Sequence, residues 1–209
     1  MKRWKFDPLA LVLPALMVVL WYFASASGLL PAYKLPSPVD LFYVLADFAT
    51  GAFGVTPYAG TLLTHLLCSL RRVACGFSIA TACGLTLGFA TGLFPLLRRL
   101  LDPLIHVIRA VPGIGWLPVA IVWFGVGEGN TLFLISLAAF FPIYVNTAHA
   151  AATVPGQLTK AGRMMGARGL TLFRTVIFPA SFPEAAVGLR LGLGVAWAYL
   201  VLGEVTGVA

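Results

Sequence analysis

Four basic side chains stand close together in the middle of an oily chain: Lys160, Arg163, Arg168 and Arg174. No Asp or Glu occurs between Glu128 and Glu184. Such a run can lie on anionic lipid or dock against another protein. The other residue types that could do chemistry are dispersed. His65, His106 and His149 fall on separate predicted elements and read as core or interfacial histidines, not as a metal site. Cys68, Cys75 and Cys83 include no C-x-x-C pair. Their spacing places them roughly on one helix face, and they read as three small buried hydrophobes. There is no G-x-x-x-x-G-K-[ST] phosphate loop to hold ATP. No catalytic, metal or cofactor-binding residue is expected.

The rest of the chain explains the setting. Of 209 residues, 60% are hydrophobic and only 10% charged, with mean hydropathy +0.95. Soluble domains carry about 25% charged residues. This composition belongs in lipid, and at about 20 residues per span there is room for five or six. The net charge of +7 is read as membrane topology and not nucleic-acid binding, because no aromatic-basic platform appears.

Residues 8–31 form the first apolar run, preceded by Lys2, Arg3 and Lys5. The "ASA" at 24–26 resembles a signal cleavage site, but the length of the run and an interfacial Trp21 and Tyr22 favour a first span. "PAYKLPSPVD" is an extended connector, and "LFYVLADFATGAF" a short amphipathic helix at the outer surface. Residues 61–93 are too long for one straight span, so a second span is placed at about 72–93 with Arg71 and Arg72 at its edge. Gly84, Gly88 and Gly92 recur every four residues, a small-residue row that lets helices approach. "PLLRRLLDP", 95–103, is expected as a turn. The third span, about 104–126, is broken by "VPGIGWLP", since Pro112 and Pro118 lack amide donors and Gly113 and Gly115 form helix poorly. "GEGN", 127–130, reads as a tight turn. The fourth span covers about 131–149, and the fifth about 184–206. With this arrangement, eleven Lys and Arg lie inside (Lys2, Arg3, Lys5, Arg98, Arg99, Arg109, Lys160, Arg163, Arg168, Arg174, Arg190) and three outside (Lys34, Arg71, Arg72). The positive-inside rule then places the N-terminus and residues 150–183 in the cytoplasm, with the C-terminus outside.

Within that cytoplasmic segment the pattern is helix, glycine turn, helix. Leu158, Ala161 and Met165 share one side of the first helix; Leu170, Phe173, Val176 and Ile177 share one side of the second. Gly166 sits at the bend, where a residue without Cβ permits a tight turn. Small Ala161 and Gly162 would let a partner approach closely. Glycines at 162, 166 and 169 favour protein docking over a lipid-bound helix.

These residues resemble the membrane subunit (permease) of a type I ABC importer. That family carries a cytoplasmic loop reading E-A-A, three residues, G, nine residues, then I-x-L-P. Here Lys160, Ala161 and Gly162, then Gly166, then Val176, Phe178 and Pro179 match it in spacing. Lys160 replaces the acidic residue, Gly162 an alanine, and Val176 and Phe178 the aliphatics. "LPSP" at 35–38, "IRAVPGIGWLPVAIVWFGVGEG" at 108–129, "FFPIYVNT" at 140–147 and "GLRLGLGVAWAYLVLGEVTG" at 188–207 are similar to the branch importing sulfonates, taurine and nitrate.

The resemblance implies an all-α, polytopic transmembrane bundle of about five spans in the inner membrane, with a core permease region at 61–209 and a coupling loop at 157–179. It implies a non-catalytic subunit, paired with a second permease copy as a homodimer, a periplasmic or extracellular substrate-binding protein and a cytoplasmic ATPase. ATP and Mg would sit on that ATPase, and this chain would bind no cofactor. Lys160, Ala161, Gly162, Arg163, Gly166, Ala167, Leu170, Phe173 and Pro179 would contact it. Family members normally continue past the stretch matching 188–207, so a sixth span is expected to be missing here. A secondary carrier or a membrane scaffold with a lipid-bound loop is the alternative; no inverted repeat supports a carrier.

Inside the membrane, the candidates for a path or gate are Pro112, Trp116, Asn146 and Glu204. Twenty residues separate Glu184 from Glu204, about 30 Å of helix, which brings Glu204 to the outer boundary. It is either a headgroup-level carboxylate or a gate or inter-helix contact. Arg109 and Arg190 are explained by snorkelling to the inner surface, and Asn146 and Trp116 line a path or join helices.

Overall fold

The computed structural model describes residues 12–27, 31, 33–54 and 56–206. Lys2, Arg3 and Lys5, on which the inside placement of the N-terminus rests, lie outside them. Among the described residues all regular structure is helical. The chain divides into two compact units, residues 1–67 and 68–209.

The first unit holds α1 (Val12–Ala26) and α2 (Pro38–Thr50). The 15 described residues of α1 are apolar. Trp21 Nε1 donates to the Pro36 carbonyl at 3.1 Å, tying α1 to the connector. The expected short helix is α2. Ser37 caps it by accepting from the Asp40 N–H at 3.0 Å, and Pro38 opens its first turn. Gly51 ends it in the left-handed region, at φ 69°.

The second unit is organised by α6 (Glu128–Ala152). The helix α3 (Leu62–Leu93), of which residues 68 onward belong to this unit, packs along one side of it, and α8 (Gly169–Val205) along another. Each contact is a glycine seam. On α3, Gly76, Gly84, Gly88 and Gly92 face Ile135, Ile143, Thr147 and Ala151. A Cβ at Gly88 would stand 2.7 Å from Thr147 Cβ. On α8, Gly188 and Gly192 face Asn146, Pro142 and Ile143, and Gly203 faces Thr131. Rising numbers meet rising numbers in the first seam and falling numbers in the second, so α3 runs parallel to α6 and α8 antiparallel. Ile143, fully buried, touches both glycine rows. With no hydrophobic drive between helices in lipid, this close approach supplies the packing.

Several boundaries differ from the sequence expectation. Among the described residues, three helices are long and apolar enough to span, or four if a bent pair counts as one. The helix α3 runs unbroken through Arg71 and Arg72 for 32 residues; the two arginines find carboxylate partners and need no break. "PLLRRLLDP" is the first part of α4 (Pro95–Ala110), not a turn, because Pro95 sits at a first-turn position that tolerates it. After α4 come a 3-10 turn (Gly113–Trp116) and α5 (Leu117–Phe124), and the pair is bent by 92°. The expected break is therefore real and sharp. The turn placed at 127–130 lies earlier, since α6 begins at Glu128 and Gly125 takes φ 73°. The three cysteines are exposed on the chain. A helix bound for lipid can turn small apolar residues outward, so burial in protein does not follow from their type.

Candidate functional site

Three regions of the second unit gather the residues singled out above. The first is the loop. After Thr153 comes α7 (Gly156–Met164), then the turn, then α8. The turn is closed by two backbone bonds: Ala167 N–H to the Gly162 carbonyl and Gly166 N–H to the Arg163 carbonyl, both 3.0 Å. This is a Schellman motif, with Gly166 at φ 88° in its left-handed position. The glycine of the loop pattern is thus a helix stop.

Gly162 does not lie on the open surface as expected. It is buried, and a Cβ there would come within 2.9 Å of Leu172 Cδ1 and Val176 Cγ2. It lets α7 fold back on α8, and Ala167, whose N–H reaches the Gly162 carbonyl, is half-buried. What faces outward is Lys160, Ala161, Arg163, Gly166 and Leu170, together with Met164 and Met165 at 89% and 87% exposure. Phe173 turns inward to meet Phe89 of α3, ring centroids 5.2 Å apart at 90°. Pro179 is exposed but ends nothing: α8 continues to Val205. A π turn at Phe173–Ile177 precedes it, with Phe178 N–H reaching back to the Phe173 carbonyl. Pro179 has no N–H for the Thr175 carbonyl, and the wider turn accommodates that loss.

The second region is the bend between α4 and α5. A cavity of about 180 Å³ opens there, lined by Arg109, Pro112 and Gly113 on one side and by Leu134, Ala138 and Tyr199 on another. A Cβ on Gly113 would overlap the Tyr199 hydroxyl. Pro112 is the one candidate path residue in this lining. Trp116 is half-buried nearby in sequence, its Nε1 buried without a hydrogen-bond partner among the described residues. Asn146 Nδ2 donates to the Pro142 carbonyl of its own helix at 2.8 Å, and its Cβ packs at Gly188; it joins helices.

The third region caps the start of α6. Glu204 accepts from Ser69 Oγ at 2.5 Å and from Arg72 Nη1 at 3.1 Å, and Arg72 Nη2 lies 3.6 Å from Glu128. Arg71 meets Glu128 at 3.5 Å. Glu204 thus makes a contact between α8 and α3. Toward the other end of α6, Tyr144 donates to Asp102 of α4, which also pairs with Arg98 at 3.2 Å. His149 lies 3.6 Å from Glu184. Among the described residues no cluster could hold a metal ion.

Sequence reasoning missed the α8 seam, the Arg72–Glu204 pair and the position of Arg109. The seam had a signal: Gly188 and Gly192 repeat the four-residue spacing of the α3 row. The pair had a weaker one, opposite charges each standing at the edge of an apolar run.

Residues 81–209 match the family model described as the binding-protein-dependent transport system inner membrane component. A putative ABC transporter permease of Methanocaldococcus jannaschii is 36% identical over 196 residues, covering 94% of this chain and 72% of the relative. A putative aliphatic sulfonates transport permease of Escherichia coli is also 36% identical, over 97% of this chain and 74% of its own length. The taurine transport system permease of the same organism is 34% identical, over 91% and 68%.

Proposed function

The chain belongs to the family of binding-protein-dependent transport inner-membrane components, the permeases of ABC importers, and we propose that with a second copy of itself it forms the path for a small anionic solute of the sulfonate class. It is a non-catalytic, multi-pass subunit of the inner membrane. A separate cytoplasmic ATPase, holding ATP and Mg, drives it, and an extracytoplasmic binding protein delivers the solute. The N-terminus and the 157–179 loop face the cytoplasm in this reading, as the excess of Lys and Arg there favours.

The observation that carries the reading is the exposed face of the loop. Met164, Met165 and Leu170 are unpartnered apolar side chains set among Lys160, Arg163 and Arg168 on a rigid, Schellman-closed turn. Methionines adapt to a partner groove, and the Phe89–Phe173 contact ties the turn to α3, so a push on the loop reaches the helices. ATP binding closes the ATPase pair, the loops move with it, and the two permease halves shift between two arrangements.

The test is co-purification of the tagged chain with an ABC ATPase expressed beside it. Gly166→Arg should uncouple the two, but the left-handed φ of 88° means it also strains the turn. Met165→Glu changes only the exposed surface. Membrane insertion of both proteins is expected to be normal, with at least tenfold less ATPase captured by Met165→Glu. Equal capture by the parent and by Met165→Glu would remove the docking assignment.

A further inference from the structure

Arg109 lies deeper along α4 than Arg98 and Arg99 do. It lies eleven residues beyond Arg98 on α4, about 16 Å further along the axis, and it lines the cavity at the bend with Leu134 and Ala138. Ala138 is ten residues from the start of α6 and fourteen from its end, about 15 and 21 Å respectively. The Arg109 backbone therefore lies at mid-depth of the bundle, and its side chain is exposed beside the open cavity. Among the described residues it makes no ion pair, whereas Arg71, Arg72 and Arg98 each have a carboxylate. The Tyr199 hydroxyl on the same cavity likewise makes no hydrogen bond among the described residues.

An unpaired cation at mid-depth is costly unless something neutralises it. Its place in the last turn of α4 favours a cation, but the helix dipole does not account for the cavity beside it. We infer that the Arg109 cavity at the α4–α5 bend is a transient binding site for a sulfonate head group, with Arg109 and Tyr199 as its donors. A guanidinium presents a planar fork to two oxygens of such an anion, and Tyr199 supplies a donor from α8. The apolar walls of Leu134, Ala138 and Phe141 suit a short aliphatic tail. Sites of this kind favour discontinuous helices near the midplane. Donors from α4 and α8 on one solute make the site sensitive to their relative position, so rocking of the helices would load and release it. The inference rests on the permease reading above.

The full chain is purified into phosphatidylcholine nanodiscs, and binding of methanesulfonate is followed by saturation-transfer NMR on its methyl protons. A saturable signal is expected, displaced by taurine and indifferent to tetramethylammonium. Arg109→Gln should weaken apparent affinity at least tenfold, Tyr199→Phe severalfold, and the exposed control Arg99→Gln less than twofold, all eluting as monodisperse protein. Adding phosphatidylglycerol separates the two sources of an anion: suppression of the signal would assign the site to lipid headgroups and overturn the solute assignment. No signal from the parent chain, or an undiminished one from Arg109→Gln, would also overturn it. ATPase co-purification with Arg109→Gln is read in parallel. If the ATPase binds but the anion does not, the site fails and the permease reading stands; if the ATPase fails to bind even the parent, the docking reading fails.

Discussion

The seams along α6 and the loop at 156–169 are both glycine-rich, and glycine does opposite things in them. In the seams the missing Cβ is filled by another helix: Ile135, Ile143, Thr147 and Ala151 occupy that space. At Gly166 and Gly169 nothing lies within 4 Å of a built Cβ, and both have positive φ. A seam glycine is kept for what touches it; a loop glycine is kept for the backbone angle it allows. Within the loop, Gly162 is a seam glycine in miniature. The comparison teaches that a row of glycines in a membrane chain marks either a packed contact or a presented surface, and that φ separates the two.

The largest effect is expected where the space is filled. Gly192→Leu places a side chain against Ile143, whose Cγ1 would be 2.8 Å from the new Cβ. Neither helix can yield without opening the opposite seam, because Ile143 is shared. We expect a loss of about 3 kcal/mol, the upper end of ordinary overpacking, read as a much lower melting temperature in detergent and little monodisperse protein. A melting curve matching the parent would mean that the seam is loose, and the contrast with the loop would collapse.

Next in size is Arg72→Met. Its side chain is 12% exposed, so removing it leaves Glu204 beside Ser69 without its cation. Breaking a fully buried pair costs about 3–5 kcal/mol. Glu204 is 30% exposed and Glu128 53%, and water at that end reduces the expectation to about 2 kcal/mol. Glu204→Gln together with Arg72→Met should recover part of the loss, because no orphaned charge remains. An unchanged melting temperature in Arg72→Met would make the cluster a surface ornament and leave the seams as the only lock on the α3, α6 and α8 ends.

The helical class, the loop and the broken segment were legible in the sequence because apolar runs, basic clusters and Pro-Gly pairs each have one dominant physical meaning. The helix ends were not. Pro95 and Pro103 bound the stretch expected as a turn and Pro183 precedes the expected start of the fifth span, yet these and Pro179 each lie within a helix. First-turn tolerance explains Pro95, and the π turn at Phe173–Ile177 accommodates Pro179. The site at Arg109 was hidden for a different reason. Its depth depends on α4 being a helix from Pro95, which moves Arg109 about 16 Å from Arg98; with "PLLRRLLDP" read as a turn, Arg109 stood near the start of the third span, within reach of the inner surface.

On the loop side, Met165→Glu should move the melting temperature almost not at all. The side chain is 87% exposed, and surface changes of this kind stay within about 0.5 kcal/mol. Its effect should appear only with the ATPase present. Gly162→Leu is the matched opposite, since it would force Leu172 and Val176 apart; it should lower stability even with no partner in the tube. If Met165→Glu destabilises the isolated chain, the loop is packed against something in its own molecule and is not a presented surface.

The smallest effect is expected at a third glycine-rich stretch, residues 51–60, which tests whether positive φ alone predicts a presented surface. Gly51, Gly54 and Gly60 all have positive φ, yet this loop turns inward on Asp47. The Asp47 carboxylate is fully buried and accepts from the N–H groups of Phe53, Gly54 and Thr56 at 3.0, 2.7 and 2.9 Å, and from the Thr56 hydroxyl. Burial pushes its pKa up, but these donors outweigh burial and hold it below the ordinary 3.8. A lowered carboxylate pKa means the unfolded chain binds the proton more readily. The stabilisation is therefore present above pH 3.8 and is lost as pH falls below it toward the folded value. Asp47→Asn should loosen the 51–60 loop at neutral pH, read as faster amide exchange at Phe53, Gly54 and Thr56, and should flatten the acid dependence of that exchange. The melting temperature of the α3–α6–α8 seams should not move. If exchange at those three amides is the same in both proteins, the glycines and not the carboxylate shape the loop, and backbone angle would then decide all three stretches.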